Sequence, residues 1–341
     1  MLIQADALAL RAPFPWFGGK SRAAHLIWPR FGDVSNYVEP FFGSGAVLLR
    51  RPDGWHGSET INDLDCYVAN FWRAVKADPA TVAQWADWPV NEADILARHE
   101  WLLAREDFRQ RMRTEPDYYD AKIAGWWVWG LCSWIGSGWC RERREGHPPQ
   151  QLPHLGNAGM GIHRSKLPHP GNAGVGIHRS KLPHLGNAGR GEQIAAWFRA
   201  LSDRLSRVRV ACGEWDRVLG DSVTIEHGTT AVLLDPPYDE SEHSVDYGPR
   251  SASVFEAVRT WALANGDNPD LRIALCGYDG AEMSPEWDSV AWKAHGGYGS
   301  QGNGRGRDNA SRERIWFSPG CVGTDRPWIL ALSDDDRLAD L

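Results

Sequence analysis

Asp235-Pro236-Pro237-Tyr238 closes a run of four apolar residues, Ala231-Val232-Leu233-Leu234. A short continuous apolar run bounded by a turn signal reads as a parallel strand buried on both faces. Proline cannot donate to a sheet ladder, so the strand must stop at Asp235. An acid, a backbone carbonyl without a ladder partner and an aromatic ring then meet at the carboxyl end of a strand, where open α/β sheets bind their ligands. A flat ring bearing an amino group suits such a place. The Asp235 carboxylate and the Pro236 carbonyl can accept its amino hydrogens, and Tyr238 can stack on its face. The same four residues also read as a turn after a core strand, with Asp235 capping a helix. Their company in the chain decides between the two.

That company is a set of strand ends with chemistry on them. Pro13-Phe14-Pro15-Trp16-Phe17-Gly18-Gly19-Lys20-Ser21 puts two glycines before a lysine, which permits a tight turn and close backbone approach to a ligand. Ser21 is expected to cap a helix over 23–28. The full G-x-x-x-x-G-K-[ST] spacing is absent, which excludes a nucleotide triphosphatase loop. Asn36 to Leu49 reads as strand, glycine loop and helix, with Glu39 at the strand end and Gly43 and Gly45 in the loop. A strand near 58–61 runs into Asn62-Asp63-Leu64-Asp65. An acid there can accept both ribose hydroxyls of a nucleoside cofactor, or can cap the helix that follows over 66–76. A strand over 208–212 ends in Gly213-Glu214-Trp215, where Glu214 can accept a hydrogen bond from an adenine ring and Trp215 can pack on it.

The elements that must position these residues alternate between strand and helix. Further strands are expected over 271–276 and 312–317, and helices over 192–207 and 259–264. This alternation predicts a doubly wound α/β domain with a mostly parallel sheet. Residues 77–150 are mainly helical in pattern, with helices over 80–88 and 93–113. The stretch from Gly125 to Trp139 carries Trp126, Trp127, Trp129, Trp134 and Trp139 and reads as buried helix. Residues 152–166 recur as 167–181 and again, truncated, as 182–191. That 15-residue unit is too poor in apolar residues to bury a core, so it reads as a duplicated loop, or as an arm that follows a phosphate backbone. The expected organisation is a catalytic domain formed by 13–76 and 192–320, an inserted region at 77–191 and a tail at 321–341. Residues 1–12 form a lead-in.

Composition bounds the function. A chain of 341 residues with 42% hydrophobic and 24% charged content can bury a sizeable core. The net charge of −7 gives no global attraction to a polyanion, so such a partner must meet local basic clusters. Arg141, Arg143 and Arg144 form one, and Arg305 and Arg307 belong to another. Six scattered cysteines without a CxxC pair argue against zinc and against a disulfide framework, and fit a reducing cytoplasm. No apolar run is long enough to span a bilayer, and the amino terminus lacks the features of a signal peptide.

In combination these stretches resemble the DNA adenine methylase (Dam) family of amino-methyltransferases. Phe14 to Ser21 resembles that family's Trp-x-Gly-Gly-Lys motif. Val38 to Ala46 resembles its Val-Glu-Pro-Phe-x-Gly-x-Gly-Ala cofactor loop, and Asp235 to Tyr238 its catalytic motif. The order is also the family's, with a variable insertion before the catalytic motif. The resemblance implies a Rossmann-like class I methyltransferase fold, S-adenosylmethionine as cofactor, no metal, and an inserted, mainly helical target-recognition region. It implies that Trp16, Lys20, Glu39, Phe41, Gly43 and Gly45 surround the cofactor. Asp63 or Asp65 would bind its ribose, and Glu214 with Trp215 its adenine. Glu214-Trp215 stands where the family usually has Asp-Phe. Pro15 stands where better-known members carry a lysine that reads DNA, so their target sequence does not transfer.

The resemblance implies methyl transfer to the exocyclic amino nitrogen of adenine in double-stranded DNA, with Asp235, Pro236 and Tyr238 as the catalytic residues and Arg141, Arg143, Arg144, Arg305 and Arg307 as DNA contacts. A base in a duplex cannot reach such a pocket within the stack and must flip out. The competing expectations are cytosine-N4 methylation, a catalytically silent DNA-binding protein, and an RNA base methyltransferase. Asp at the first catalytic position favours adenine, because Ser is commoner for cytosine and Asn for the RNA enzymes. The expected setting is the cytoplasm of a bacterial or phage-infected cell, with the enzyme encoded by a phage or belonging to a restriction-modification system.

Overall fold

The computed structural model describes residues 10–16, 20–88, 90, 92–134, 138–140, 191–237, 251–292 and 312–323. Its strands are β1 (Asn36–Glu39), β2 (Ser58–Asp63), β3 (Val208–Cys212), β4 (Thr230–Leu234), β5 (Leu271–Tyr278), β6 (Asp288–Ala291) and β7 (Glu313–Phe317). They form one sheet in the order β3-β2-β1-β4-β5-β7-β6. Neighbours from β3 to β5 are parallel, and β7 runs antiparallel to both β5 and β6. The chain order reverses between β1 and β4, which makes that pair the topological switch point where a doubly wound sheet opens a crevice. The expected doubly wound, mostly parallel architecture is therefore present.

Period-two alternation divides the sheet between two cores. Tyr37, Ala231, Leu233, Ala274 and Cys276 face one side, and Val38, Val232, Leu234, Ile273 and Leu275 face the other. Helix α8 (Ser251–Asn265) covers the second face through Val258 and Ala262. The first face carries α1 (Ala24–Phe31), α2 (Cys66–Ala77) and α7 (Gly191–Leu205). The inserted helices are α3 (Pro79–Ala86), α4 (Glu92–Leu103), α5 (Glu106–Thr114) and α6 (Ala121–Ser133). They extend this same core, since Trp127 of α6 packs edge-on against Phe14 and lies 6.0 Å from Phe71 of α2. Arg73 of α2 donates to the carbonyls of Met112, Glu115 and Tyr118, and its Nε donates to Val210 of β3. One buried guanidinium thus ties the insertion to the edge of the sheet.

Several expectations need correction. The helix foreseen after the glycine loop is a 3-10 turn over Leu48–Arg50. Pro52 holds the preceding Arg51 in extended backbone (φ −61°, ψ 135°), which stops a longer helix. The helix expected over 93–113 is two helices, broken at Arg105. Glu106 and Asp107 favour the positive start of a new helix there. Ser21 does not cap α1, whose N-cap is Ala23 without a side-chain hydrogen bond. The Lys20 carbonyl instead accepts from the N–H groups of Ala23 and Ala24. Strand β6 was not foreseen, because its residues are exposed or half-buried and carry no apolar alternation. The six cysteines are free; the thiols of Cys66 and Cys212 lie 3.7 Å apart, with Cys212 donating.

The tryptophan-rich stretch is buried as expected, with Trp127, Trp129, Trp134 and Trp139 in the core and Trp126 half-buried, but its helix ends at Ser133, so Trp134 and Trp139 are buried outside it. Two glycines let it pack so closely. A Cβ on Gly125 would lie 2.8 Å from the Val82 carbonyl of α3, closer than real Cβ contacts, and Gly130 sits against the Trp139 ring. No described helix is long and apolar enough to cross a membrane. Gly125→Ala should force α3 and α6 apart and cost about 1–3 kcal/mol, read as a lower urea midpoint at unchanged slope.

Candidate active site

The carboxyl ends of four parallel strands converge beside the switch point. Asp235 follows the fully buried β4, and its carboxylate is one-fifth exposed at the crevice. Lys20 reaches it from the segment ahead of α1, with Nζ 2.9 Å from Asp235 Oδ1. The same Nζ lies 3.5 Å from Glu313 Oε2 of β7 and 5.2 Å from the centre of the Trp292 ring. The Lys20 side chain is 3% exposed, so these contacts replace its hydration. Burial raises the pKa of Asp235, Lys20 pulls it back down, and Glu313 pushes it up.

Glu39 ends β1 in a dry setting and accepts a 2.7 Å hydrogen bond from the Tyr37 hydroxyl. Burial raises its carboxyl well above the usual range, against the stabilising Tyr37 bond, and the charges of Asp235, Asp63 and Glu59 add to the rise. A site with this many desolvated acids favours protons or an external cation.

The glycine loop lies directly after Glu39. Gly43 has a left-handed φ of +51°, and its Cα faces the Trp16 ring so closely that a side chain has no room. Its N–H donates to Asp63 Oδ2 at 2.9 Å, and its carbonyl accepts from Trp72 Nε1. Gly45 is also left-handed, at φ +71°, under the ring of Phe42. Asp63 ends β2 and accepts from the Asp65 N–H with its other oxygen. Asp65 is the N-cap of α2, accepting from the Tyr67 N–H at 2.8 Å. Of the two acids expected for a ribose, Asp65 has the capping role that was its alternative reading, and Asp63 joins β2 to the glycine loop.

Asn62 organises the strand ends. Its side-chain amide donates to the Pro40 carbonyl at 3.1 Å and to the Gly213 carbonyl at 2.9 Å, while its own carbonyl accepts from the Phe42 N–H. The loops after β1 and β3 are thereby fixed to β2. Phe41 and Trp215, carried on those two loops, face each other nearly parallel, with ring centres 6.3 Å apart. Glu214 lies beside them, exposed. Pro236 is buried directly after Asp235.

The structure thus brings Trp16, Lys20, Glu39, Phe41, Gly43, Gly45, Asp63, Glu214, Trp215, Asp235 and Pro236 to one end of the sheet. Tyr238, Arg141, Arg143, Arg144, Arg305 and Arg307 lie outside the described residues, as does the repeat up to residue 190. Sequence reading passed over Asn62, Tyr37, Trp292 and Glu313. The available signals were a polar residue ahead of Asp63 and an acid opening the apolar run of β7. Among the described residues no group of three or more His, Cys, Asp or Glu has the geometry to hold a metal ion. Replacing Asn62 by the similarly sized Leu leaves two buried carbonyls without their donor. The expected cost is about 1–3 kcal/mol, measured by urea unfolding.

Residues 16–122 match the family model of D12 class N6 adenine-specific DNA methyltransferases. No curated protein matches the chain. The matched stretch holds Trp16, Lys20, Glu39, the glycine loop, Asn62 and Asp63, and the seven-stranded sheet completes around them. Motif and match agree over this amino-terminal third of the chain, which is similar to the D12 class of N6 adenine-specific DNA methyltransferases.

Proposed function

We propose that this chain is an adenine-specific DNA methyltransferase that takes its methyl group from S-adenosylmethionine and acts on an adenine flipped out of double-stranded DNA, with Asp235 and Pro236 receiving the target amino group. The observation that carries the proposal is the position of Asp235, anchored by Lys20 at the end of β4 and next to the glycine loop of β1. The residues around that loop fit the cofactor's charge. The charges of Asp63 and Asp235 act on Glu39, and burial leaves Glu39 and Asp235 with raised pKa values. A sulfonium and an ammonium are the kind of charge that relieves such a deficit. When bound, S-adenosylmethionine supplies an electrophilic methyl group on sulfur.

The chain's own residues then do three things. Trp16, Lys20, Glu39, Gly43 and Gly45 line the place for the amino acid and sulfonium end, with Gly43 and Gly45 giving room for close approach. Asp63 faces the ribose position, and Glu214, Trp215 and Phe41 serve the purine end. Asp235 and the Pro236 carbonyl accept the two amino hydrogens of the target adenine. The amino lone pair is conjugated into the ring and nucleophilically weak. Holding both hydrogens disfavours that conjugation and aims the lone pair for in-line attack. Tyr238 stacks on the flipped ring. Arg141, Arg143, Arg144, Arg305 and Arg307 are the proposed phosphate contacts, which a chain of net charge −7 needs locally.

Expression in a host free of DNA methylation should yield N6-methyladenine at a defined sequence, mapped in genomic DNA. Asp235→Ala should lower kcat by about 100-fold or more. Methylcytosine at the target would select the cytosine reading, and no modified base despite confirmed cofactor binding would sink the proposal. The raised carboxyls make a further prediction. Glu39 and Asp235 must be ionised to favour a cation, so affinity for S-adenosylmethionine should fall as pH drops through their raised pKa values. The fall should be steeper than for S-adenosylhomocysteine, which lacks the sulfonium charge. Calorimetric titrations of both compounds across a pH series check this.

A further inference from the structure

Lys20 stands between two carboxylates from strands on opposite sides of β5. Asp235 follows β4 and lies 2.9 Å away; Glu313 opens β7 and lies 3.5 Å away. Both the lysine and Glu313 are buried, and the Trp292 ring closes another side of the ammonium. Glu313 is well fixed: it pairs with Tyr278 across β5 and β7, and its carbonyl accepts from the Trp292 N–H at 3.3 Å. Asp235 therefore cannot give its full acceptor capacity to a target amino group while Lys20 holds it, and a buried ammonium needs another acceptor if it is to let go.

We infer that Glu313 is a positioning residue for the methyl transfer, receiving the Lys20 ammonium when the target amino group takes the lysine's place on Asp235. This rests on the reading of Asp235 as the acceptor of that group. The exchange keeps every charge paired. Before the base arrives, one ammonium is shared by two carboxylates. Afterwards Glu313 holds the ammonium, and Asp235 presents its charge to the amino hydrogens. As the nitrogen–carbon bond forms and the sulfur–carbon bond breaks, the nitrogen becomes positive, and an Asp235 freed of Lys20 is the better partner for it. The nitrogen then sheds one proton toward that carboxylate. No other reactant is needed.

Glu313→Gln tests this in the full-length protein. Lys20 then loses the Glu313 carboxylate and stays on Asp235. The expected result is a fall in kcat of about tenfold or more with affinity for S-adenosylmethionine nearly unchanged. The groups facing Asp235 are Lys20, Glu313, Glu39 of β1 and Cys276 of β5. Removing the Glu313 charge while Lys20 remains should move the acid limb of the pH–rate profile to lower pH, a shift that loss of packing alone would not produce. In a Lys20→Met background the same substitution should add little, because Glu313 acts through the lysine. An equal fold-loss in both backgrounds, or a Gln variant with wild-type kcat, overturns the inference. Should the Gln variant not fold, Glu313→Asp is run through the same cycle and read in the same way. Wild-type protein that leaves DNA unmodified counts against the proposed function, whereas active wild type beside an unaffected Glu313 variant counts against this inference alone.

Discussion

The site depends on the strand ends being held in register by the side chain of Asn62. Parallel strands are tied to one another along their length, but the loops leaving them are not. Asn62 supplies that missing tie by donating to carbonyls on either side of its own strand. The cost of burying an amide is offset by these bonds, and the return is geometric. Phe41 is fixed opposite Trp215, and Gly43 is brought within reach of Asp63. Without this tie the chemical groups would still sit on their strands, but the distances between them would be free to drift.

Electrostatics builds on that frame. The crevice gathers acids where water is scarce, and among the described residues Lys20, from the segment ahead of α1, is the cation that pairs with Asp235 and Glu313. Such an arrangement is costly for the empty protein and favourable for a positively charged ligand. The Tyr37 hydroxyl shows how the fold limits that cost without cancelling it: one neutral donor steadies Glu39, while burial still raises its pKa. Under the proposed function, acids held in this way would already be in place for a cationic ligand, and such preorganisation lowers the reorganisation a reaction needs.

Much of the site was legible because its residues are local in sequence. Lys20 follows two glycines, Glu39 precedes Pro40, and Asp235 is followed by two prolines; each signal is complete within a few positions. The sheet was legible for the same reason, since β4 and β5 are unbroken apolar runs. What escaped was non-local. Glu313 reads as the first residue of a core strand, and only the antiparallel return of β7 beside β5 brings it to Lys20. Asn62 looks like part of a turn until its two distant carbonyls are known. The shortened helix after the glycine loop and the break at Arg105 are backbone decisions made by Pro52 and by the acids of the next turn, which outweighed the apolar spacing. Asp65 had two sound readings, and the geometry of α2 took the capping one.

Helix α7 is joined to α2 and to the sheet by bonds that use no residue of the segment between the two helices. Ser202 donates to the last-turn carbonyl of Lys76, and Lys76 donates to Val208 at the start of β3. Arg204 forms a bidentate pair with Glu59 of β2. The chain therefore leaves and re-enters the catalytic sheet at a seam that closes on itself. The tandem unit at 152–191 is spliced into that seam, and it comprises a whole number of codons. A copying slip that gains or loses one unit keeps the reading frame and leaves α2, α7 and the strands they brace with all of these bonds.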